Sequence, residues 1–473
     1  MRYSARLLVA LLVGASAAAA QSSSGSTAKS MPGIGQVAPM DVRDSAALSA
    51  ALAAYDRGDS GAAKPELERL AAKYPDNFPA NEALGLLQVD AGNFAQALPY
   101  LEHAAAAKKK NAVAQANLGA AYLQVGNIKA ALPTLKKAAL LDAKNTQTLV
   151  NLGHAQFLNK QPLEAASTFA TASALDPANV DIIYDWAVAL HEAGKDTRAA
   201  AALQCIPAAH RSDAVESLWG DIAEKQGHFK EAADHMQAAM RLKPSEQNVY
   251  ALAIELLRHW TWQPAEEVAQ YGVEHFPQSR RMQLAKGIAY YGNGRYAESA
   301  TIFGALLAQD PDNEDYGSLL GRSCSSLGGA AAPQCDSLVA FATRHPHNAQ
   351  IAVYAALSIL HQPNAKGELN RTEQLLRQAI SADPKLPEAY YQLGVVQQER
   401  LQWSDSAASL SKAIGLRPAY AEAHYRLARA YSHLHQTDLA GREMALHQKY
   451  SQQEKDDSNA KLKEVTTFLV ESH

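Results

Sequence analysis

Asn117, Leu118, Gly119, Ala120, Ala121 and Tyr122 are followed by Gly126, Asn127, Ala131, Leu135 and Ala138. Thirty-four residues after Asn117 the series starts again with Asn151, Leu152 and Gly153, then runs through Ala165 and Phe169 to Asp176 and Pro177. A third copy passes from Gly394 through Trp403, Leu410 and Ala413 to Arg417 and Pro418. This is the period of a two-helix unit that cannot bury its apolar face alone and must stack on its neighbours. Such stacks are more often binding surfaces than active sites.

Each position has a physical reason. With every repeat numbered 1 to 34, position 8 is Gly or Ala because a second helix presses on the first there. Position 20 is Ala for the same reason from the other side. Position 24 is large and apolar and fills space between hairpins. The closing Pro lacks a donor and ends the second helix. The pattern, Leu-Gly-x-x-Tyr with a later Ala-x-x-x-Phe and a terminal Pro, resembles the tetratricopeptide repeat. The resemblance implies an all-α, right-handed α-solenoid. Its matches run from residue 44 to 454, about twelve helix-turn-helix units. The seventh repeat fits only with a shift through Ala253, Trp260, Ala265 and Pro277. The ninth has Pro333 where Ala belongs, and the tenth carries an insertion near Asn364 to Asn370.

The flanks read differently. Arg2 and Arg6, the apolar run Leu7 to Val13, and Ala18 to Ala20 before Gln21 have the pattern of a secretory signal over residues 1–20. Its loss would take the net charge from −4 to −6. Residues 21–43, rich in Ser, Gly, Ala and Pro, read as a flexible tether. The location expected is periplasmic or extracellular. No later stretch is long and apolar enough to span a bilayer. At the far end Leu462, Val465, Phe468 and Leu469 recur at helical spacing, which predicts a capping helix over residues 455–473.

Composition narrows function. Of 473 residues, 47% are apolar and 19% charged, which suits close-packed helices. The charge balance lacks the basic face that nucleic acid requires. No phosphate-cradling G-x-x-x-x-G-K-[ST] loop, H-E-x-x-H pair or G-x-S-x-G elbow is present, so neither an enzyme nor a cofactor is expected. The close histidine pairs, His345 with His347 and His433 with His435, read as surface residues and not as metal ligands. Lys108, Lys109 and Lys110 close a second helix, where cations suit the helix dipole. Cys324 and Cys335 lie nearly symmetrically about Gly328 and Gly329, so they could bridge a hairpin or remain two buried thiols. Cys205 is expected to be buried.

The family resemblance implies that first helices line an inner face, with positions 5, 6 and 12 among those pointing into it. Asn117 and Asn151 fall at position 6, and Asp185 follows one repeat later. Peptide-clamping members of the family carry a similar Asn arrangement. An amide both donates and accepts, so it can satisfy a peptide bond of any sequence. The other reading is that these amides bond their own helices. Tyr184, Tyr250, Tyr391 and Tyr425 fall at position 5, and Phe157 and Tyr291 at position 12. They could recognise a ligand or simply pack along the wall. The expectation is an exported scaffold that grips protein or peptide segments and helps to assemble an envelope complex. Its rival is a carbohydrate-handling module of a polysaccharide export system.

Overall fold

The computed structural model describes residues 40–327, 333–362 and 365–471, with the side chains of the last helix described as far as residue 458. The expected signal and most of the tether lie outside the described residues. So do the side chains of Leu462, Val465, Phe468 and Leu469.

The chain divides into two compact units, residues 1–211 and 212–473. In the first, α1 (Val42–Asp56) pairs with α2 (Ser60–Lys73), α3 (Phe78–Asp90) with α4 (Phe94–Ala107), and α5 (Ala112–Gln124) with α6 (Ile128–Leu141). There α7 (Thr146–Leu158) also pairs with α8 (Pro162–Leu175), and α9 (Val180–Glu192) with α10 (Asp196–Gln204). In the second unit α11 (Asp213–Lys225) pairs with α12 (Phe229–Leu242), α13 (Glu246–Arg258) with α14 (Trp262–His275), and α15 (Arg280–Gly292) with α16 (Tyr296–Gln309). It continues with α17 (Glu314–Ser326) and α18 (Ser337–Arg344), α19 (Ala349–Leu360) and α20 (Leu369–Ala382), α21 (Pro387–Glu399) and α22 (Trp403–Leu416), and α23 (Ala421–His433) and α24 (Thr437–Glu471). First helices of successive hairpins touch: α1 with α3 and α5 with α7 in the first unit, α13 with α15 and α19 with α21 in the second. In each stack the first helices therefore lie side by side in one layer.

Inside a hairpin the two helices meet at the glycine of position 8. A Cβ on Gly85 would lie 2.6 Å from Leu101, on Gly119 2.6 Å from Leu135, on Gly153 2.6 Å from Phe169 and on Gly394 2.6 Å from Leu410. The large residue of position 24 thus sits on the glycine of its own hairpin. Leu135 and Phe169 are wholly buried there. Position 20 is Ala in most repeats, but Ser299 and Ser406 take it in the eighth and eleventh. Each hydroxyl donates to the position-8 glycine carbonyl at 2.9 Å, which satisfies a buried polar group locally.

Helix starts are set by a row of caps that recurs with the repeat. Asn77, Asn111, Asn145, Asn179, Asn313 and Asn348 each accept a backbone N–H from three residues on. The second helices stop two residues before their prolines, α8 before Pro177 and α22 before Pro418. α4 stops at Ala107 although Lys109 stands in place of Pro, so the terminal Pro is not required. Lys108 lies over the Phe78 ring, 4.1 Å from its centroid.

The seventh repeat is a regular hairpin despite its poor match. Its turn needs a positive φ, supplied by Gly in most repeats, such as Gly126 (76°) and Gly294 (74°), but here by Trp260 (59°). The ninth departs most. A 3₁₀ turn, Pro333–Asp336, replaces the start of its second helix and leaves α18 only 8 residues long. Cys324 and Cys335 are bonded, with Cα atoms 5.8 Å apart. Cys335 lies in that 3₁₀ turn, not on a facing helix. Cys205 is exposed, contrary to expectation, because α10 ends at Gln204 and leaves it at the cap. His345 is half-buried, its ring packed on Phe341 with centroids 4.3 Å apart. The polar stretch from Ser451 to Asn459 does not break the chain, since α24 runs through it without interruption.

On α1, Asp44 is buried and accepts from Arg69 at 2.7 Å, Lys73 at 2.6 Å and the Tyr74 hydroxyl at 2.8 Å. Hydrogen bonds from Lys73, then Arg69 and Tyr74, hold its carboxyl far below the usual carboxylate range.

Two outcomes follow from these contacts. Gly153→Ala should lower stability by about 1–3 kcal/mol in chemical denaturation, because the Phe169 ring cannot move aside without leaving its rotamer well. Asp44 is ionised in the folded chain well below its unfolded pKa of about 3.9. Its contribution is therefore complete above that value and lost as pH falls through it. Asp44→Asn should lower the melting midpoint at neutral pH, with the gap to the parent closing as pH drops below about 4.

Candidate functional site

Three successive first helices of the first unit carry the position-6 residues: Asn117 on α5, Asn151 on α7 and Asp185 on α9. Asn117 and Asn151 are each only 2% exposed. Asn117 Oδ1 and Asn151 Nδ2 have no hydrogen-bond partner, while Asn151 Oδ1 accepts from Gln147 at 3.3 Å. Asp185 Oδ2 lies 2.7 Å from His154 Nε2, and the His154 ring meets Phe169 edge-on.

Several other buried amides in the same stacks are bonded, although Gln397 Oε1 also lacks a partner. Asn81 Nδ2 donates to Pro75 O at 2.8 Å and Asn77 O at 2.9 Å. Gln115 Nε2 donates to Ala105 O at 3.0 Å, and Asn248 Nδ2 to Lys243 O at 2.9 Å. These side chains tie a first helix to the end of the preceding helix. The position-6 amides differ: one acceptor and one donor, a repeat apart, are unused. A buried polar atom without a partner costs about 1–3 kcal/mol.

The aromatic candidates do not form one cluster. Tyr184 and Phe157 are half-buried in the first unit. In the second, each candidate packs with its own neighbour. Tyr250 lies under the Arg281 guanidinium at 5.1 Å, Tyr291 against Tyr296 at 5.3 Å and Tyr391 against Tyr420 at 4.8 Å. Burial pushes the Tyr391 hydroxyl pKa up. Tyr425, 44% exposed, is the most accessible of this group.

One constellation escaped the sequence reading. Glu224 at the end of α11, Glu255 on α13 and His259 just past it converge, with one ligand atom of each within 4.8 Å of the others. Burial, then the charge of Glu224, pushes the Glu255 carboxyl up to about 8. Glu224 sits below its usual range: burial opposes this, but Glu255, His259 and Arg258 outweigh it. The available signal was the spacing, since Glu224 and His259 are 35 residues apart, close to one repeat. Each residue taken alone looks like a solvated charge.

Two tetratricopeptide-repeat families match the chain, one over residues 88–152 and the other over residues 250–314. The chain is built of tetratricopeptide repeats. Similar solved structures include Naa15/Naa10 bound to HypK-THB, at 14% identity over 86% of this chain and 68% of that one, with a TM-score of 0.36. PilF of Pseudomonas aeruginosa is similar at 20% identity over 43% and 94%, with a TM-score of 0.36. YrrB, described as a TPR protein with an unusual peptide-binding site, is similar at 19% identity over 39% and 97%, with a TM-score of 0.35. No curated protein matches the chain. No helix among the described residues is long and apolar enough to cross a membrane.

In a tetratricopeptide-repeat scaffold, packing uses positions 8, 20 and 24, and polar residues elsewhere on the first helix are free to serve binding. If the position-6 amides are kept for a ligand, an apolar replacement should help the fold. Asn117→Leu and Asn151→Leu should each raise stability by about 1 kcal/mol in chemical denaturation, whereas Asn81→Leu should lower it by a similar amount.

Proposed function

We propose that this tetratricopeptide-repeat scaffold binds an extended protein segment along α5, α7 and α9, with Asn117 and Asn151 bonding the segment's backbone. The observation that carries the reading is the pair of unused polar atoms, Asn117 Oδ1 and Asn151 Nδ2, in consecutive repeats. A peptide bond offers one N–H and one C=O, which are the groups these two atoms lack. The contact needs a small side-chain rotation, because both atoms are covered in the free chain. Asp185, bound to His154, adds a negative end to the row. The leader-like residues 1–20 support export, so the segment would belong to a protein of the envelope or beyond it.

The test uses a peptide selected from a random display library against the purified chain, with a glycan array run in parallel. The double change Asn117→Ala with Asn151→Ala should weaken the selected peptide at least about fivefold, since each backbone hydrogen bond contributes about 0.5–1.5 kcal/mol. Unchanged affinity in a folded double variant would remove these amides from the site. Glycan hits with no selectable peptide would favour the carbohydrate reading instead.

A further inference from the structure

We propose that Glu224, Glu255 and His259 form a binding site for a divalent transition-metal ion of the zinc class. The site lies wholly within the second unit and stands independently of the peptide row.

Geometry is the first argument. His259 Nε2 lies 3.3 Å from Glu224 Oε2 and 3.3 Å from Glu255 Oε1. That is longer than a good N–H···O hydrogen bond, which falls at about 2.7–3.2 Å. It fits the edge of a tetrahedron around one ion: with ligand bonds of about 2.0–2.1 Å, neighbouring ligand atoms stand about 3.3–3.4 Å apart.

The second argument is an orphaned carboxylate. The Glu255 side chain is 1% exposed, and neither of its oxygens makes a hydrogen bond. A buried carboxylate is normally paired or bound to metal. Arg258 does not fill this role, since its Nη1 is 3.5 Å from Glu255 Oε2 and bonds Glu224 Oε1 at 2.9 Å. The division of atoms is informative. Arg258 faces one oxygen of each glutamate, and His259 faces the other oxygen of each. The guanidinium thus occupies the place of an outer partner that orients metal-binding carboxylates. The Phe229 ring packs on His259, centroids 4.0 Å apart, and steadies the imidazole.

Ligand type sets the metal. One imidazole and two carboxylates, with no thiolate, suit zinc and its first-row neighbours. Calcium takes six to eight oxygens, which three side chains do not supply. Three protein ligands leave a fourth position for water or another donor.

The experiment is a Zn²⁺ titration by calorimetry of the tag-free full chain after chelator treatment, repeated with Co²⁺ to read visible absorption. The parent should bind one tight equivalent, gain thermal stability with Zn²⁺, and give tetrahedral Co²⁺ bands. Glu255→Gln and His259→Gln, each checked for helical content, should lose that equivalent, with affinity falling at least about a hundredfold. Weak binding at other histidines and at Cys205 should persist in both variants and in the parent alike. Equal stoichiometry and affinity in the parent and a folded Glu255→Gln chain would overturn the proposal and leave the cluster as an ion-pair network. If His259→Gln fails to fold, Glu224→Gln serves in its place with the same two outcomes.

Discussion

A contact between a glycine on one helix and a large side chain sixteen residues later holds together the hairpins of Gly85, Gly119, Gly153, Gly220, Gly287 and Gly394. Gly119 with Leu135 and Gly153 with Phe169 show why both partners are needed. A Cβ would stand 2.6 Å from the facing side chain, so only glycine lets the axes approach closely enough for that side chain to be buried. Burying a Leu or Phe contributes about 1.5–3 kcal/mol, and each hairpin repeats the contact without help from distant sequence. Stability in such a stack is a sum of local terms and neighbour terms. That is why one short second helix, α18, is tolerated inside the second unit. There Phe341 packs instead against Gly317, farther back on α17, and the Cys324–Cys335 bond fastens the altered turn.

This contact also explains what the sequence made legible. Side-chain size at positions 8, 20 and 24 is dictated by packing, so it recurs and can be read. Backbone requirements are less visible, because several residue types can meet them at some energetic cost. Trp260, Lys160, Leu401 and His435 all adopt the positive φ that Gly126 adopts elsewhere, at a cost of about 1–2 kcal/mol each. The seventh repeat combines this with Ala269 at position 24, where a large residue is expected. Serine at position 20 was another disguise: Ser299 and Ser406 look wrong by polarity, yet each finds the glycine carbonyl opposite. The Asn cap row was present in the letters at the repeat period, but its meaning depends on where each helix begins, which packing periodicity locates only to within a few residues.

The candidate sites were legible to different degrees. Register alone placed Asn117, Asn151 and Asp185 in one row. Whether an amide is satisfied depends on the carbonyls that the preceding helix offers, and no spacing rule reveals that. The Glu224, Glu255 and His259 cluster was hidden for a related reason. Its members lie on consecutive repeats, and burial of Glu255 depends on how the ends of α11 and α13 meet. An isolated acidic residue in a helix is most often solvated, so nothing in one repeat marks it.

Buried polar side chains in this fold differ in how far their hydrogen bonds are met. Asn81, Gln115 and Asn248 bond the turn before them and join neighbouring hairpins. Asn117 and Asn151 are buried as deeply and leave a donor or acceptor unused. Packing cannot favour that state, since leucine fills similar space without the desolvation cost. Glu255 presents the same imbalance with a carboxyl group, neither oxygen of which makes a hydrogen bond. Stacked hairpins can carry such defects because the loss is confined to one interface while the others keep their glycine contacts. An unsatisfied group retained where an apolar one would fit is what the proposed peptide row and the proposed metal site have in common.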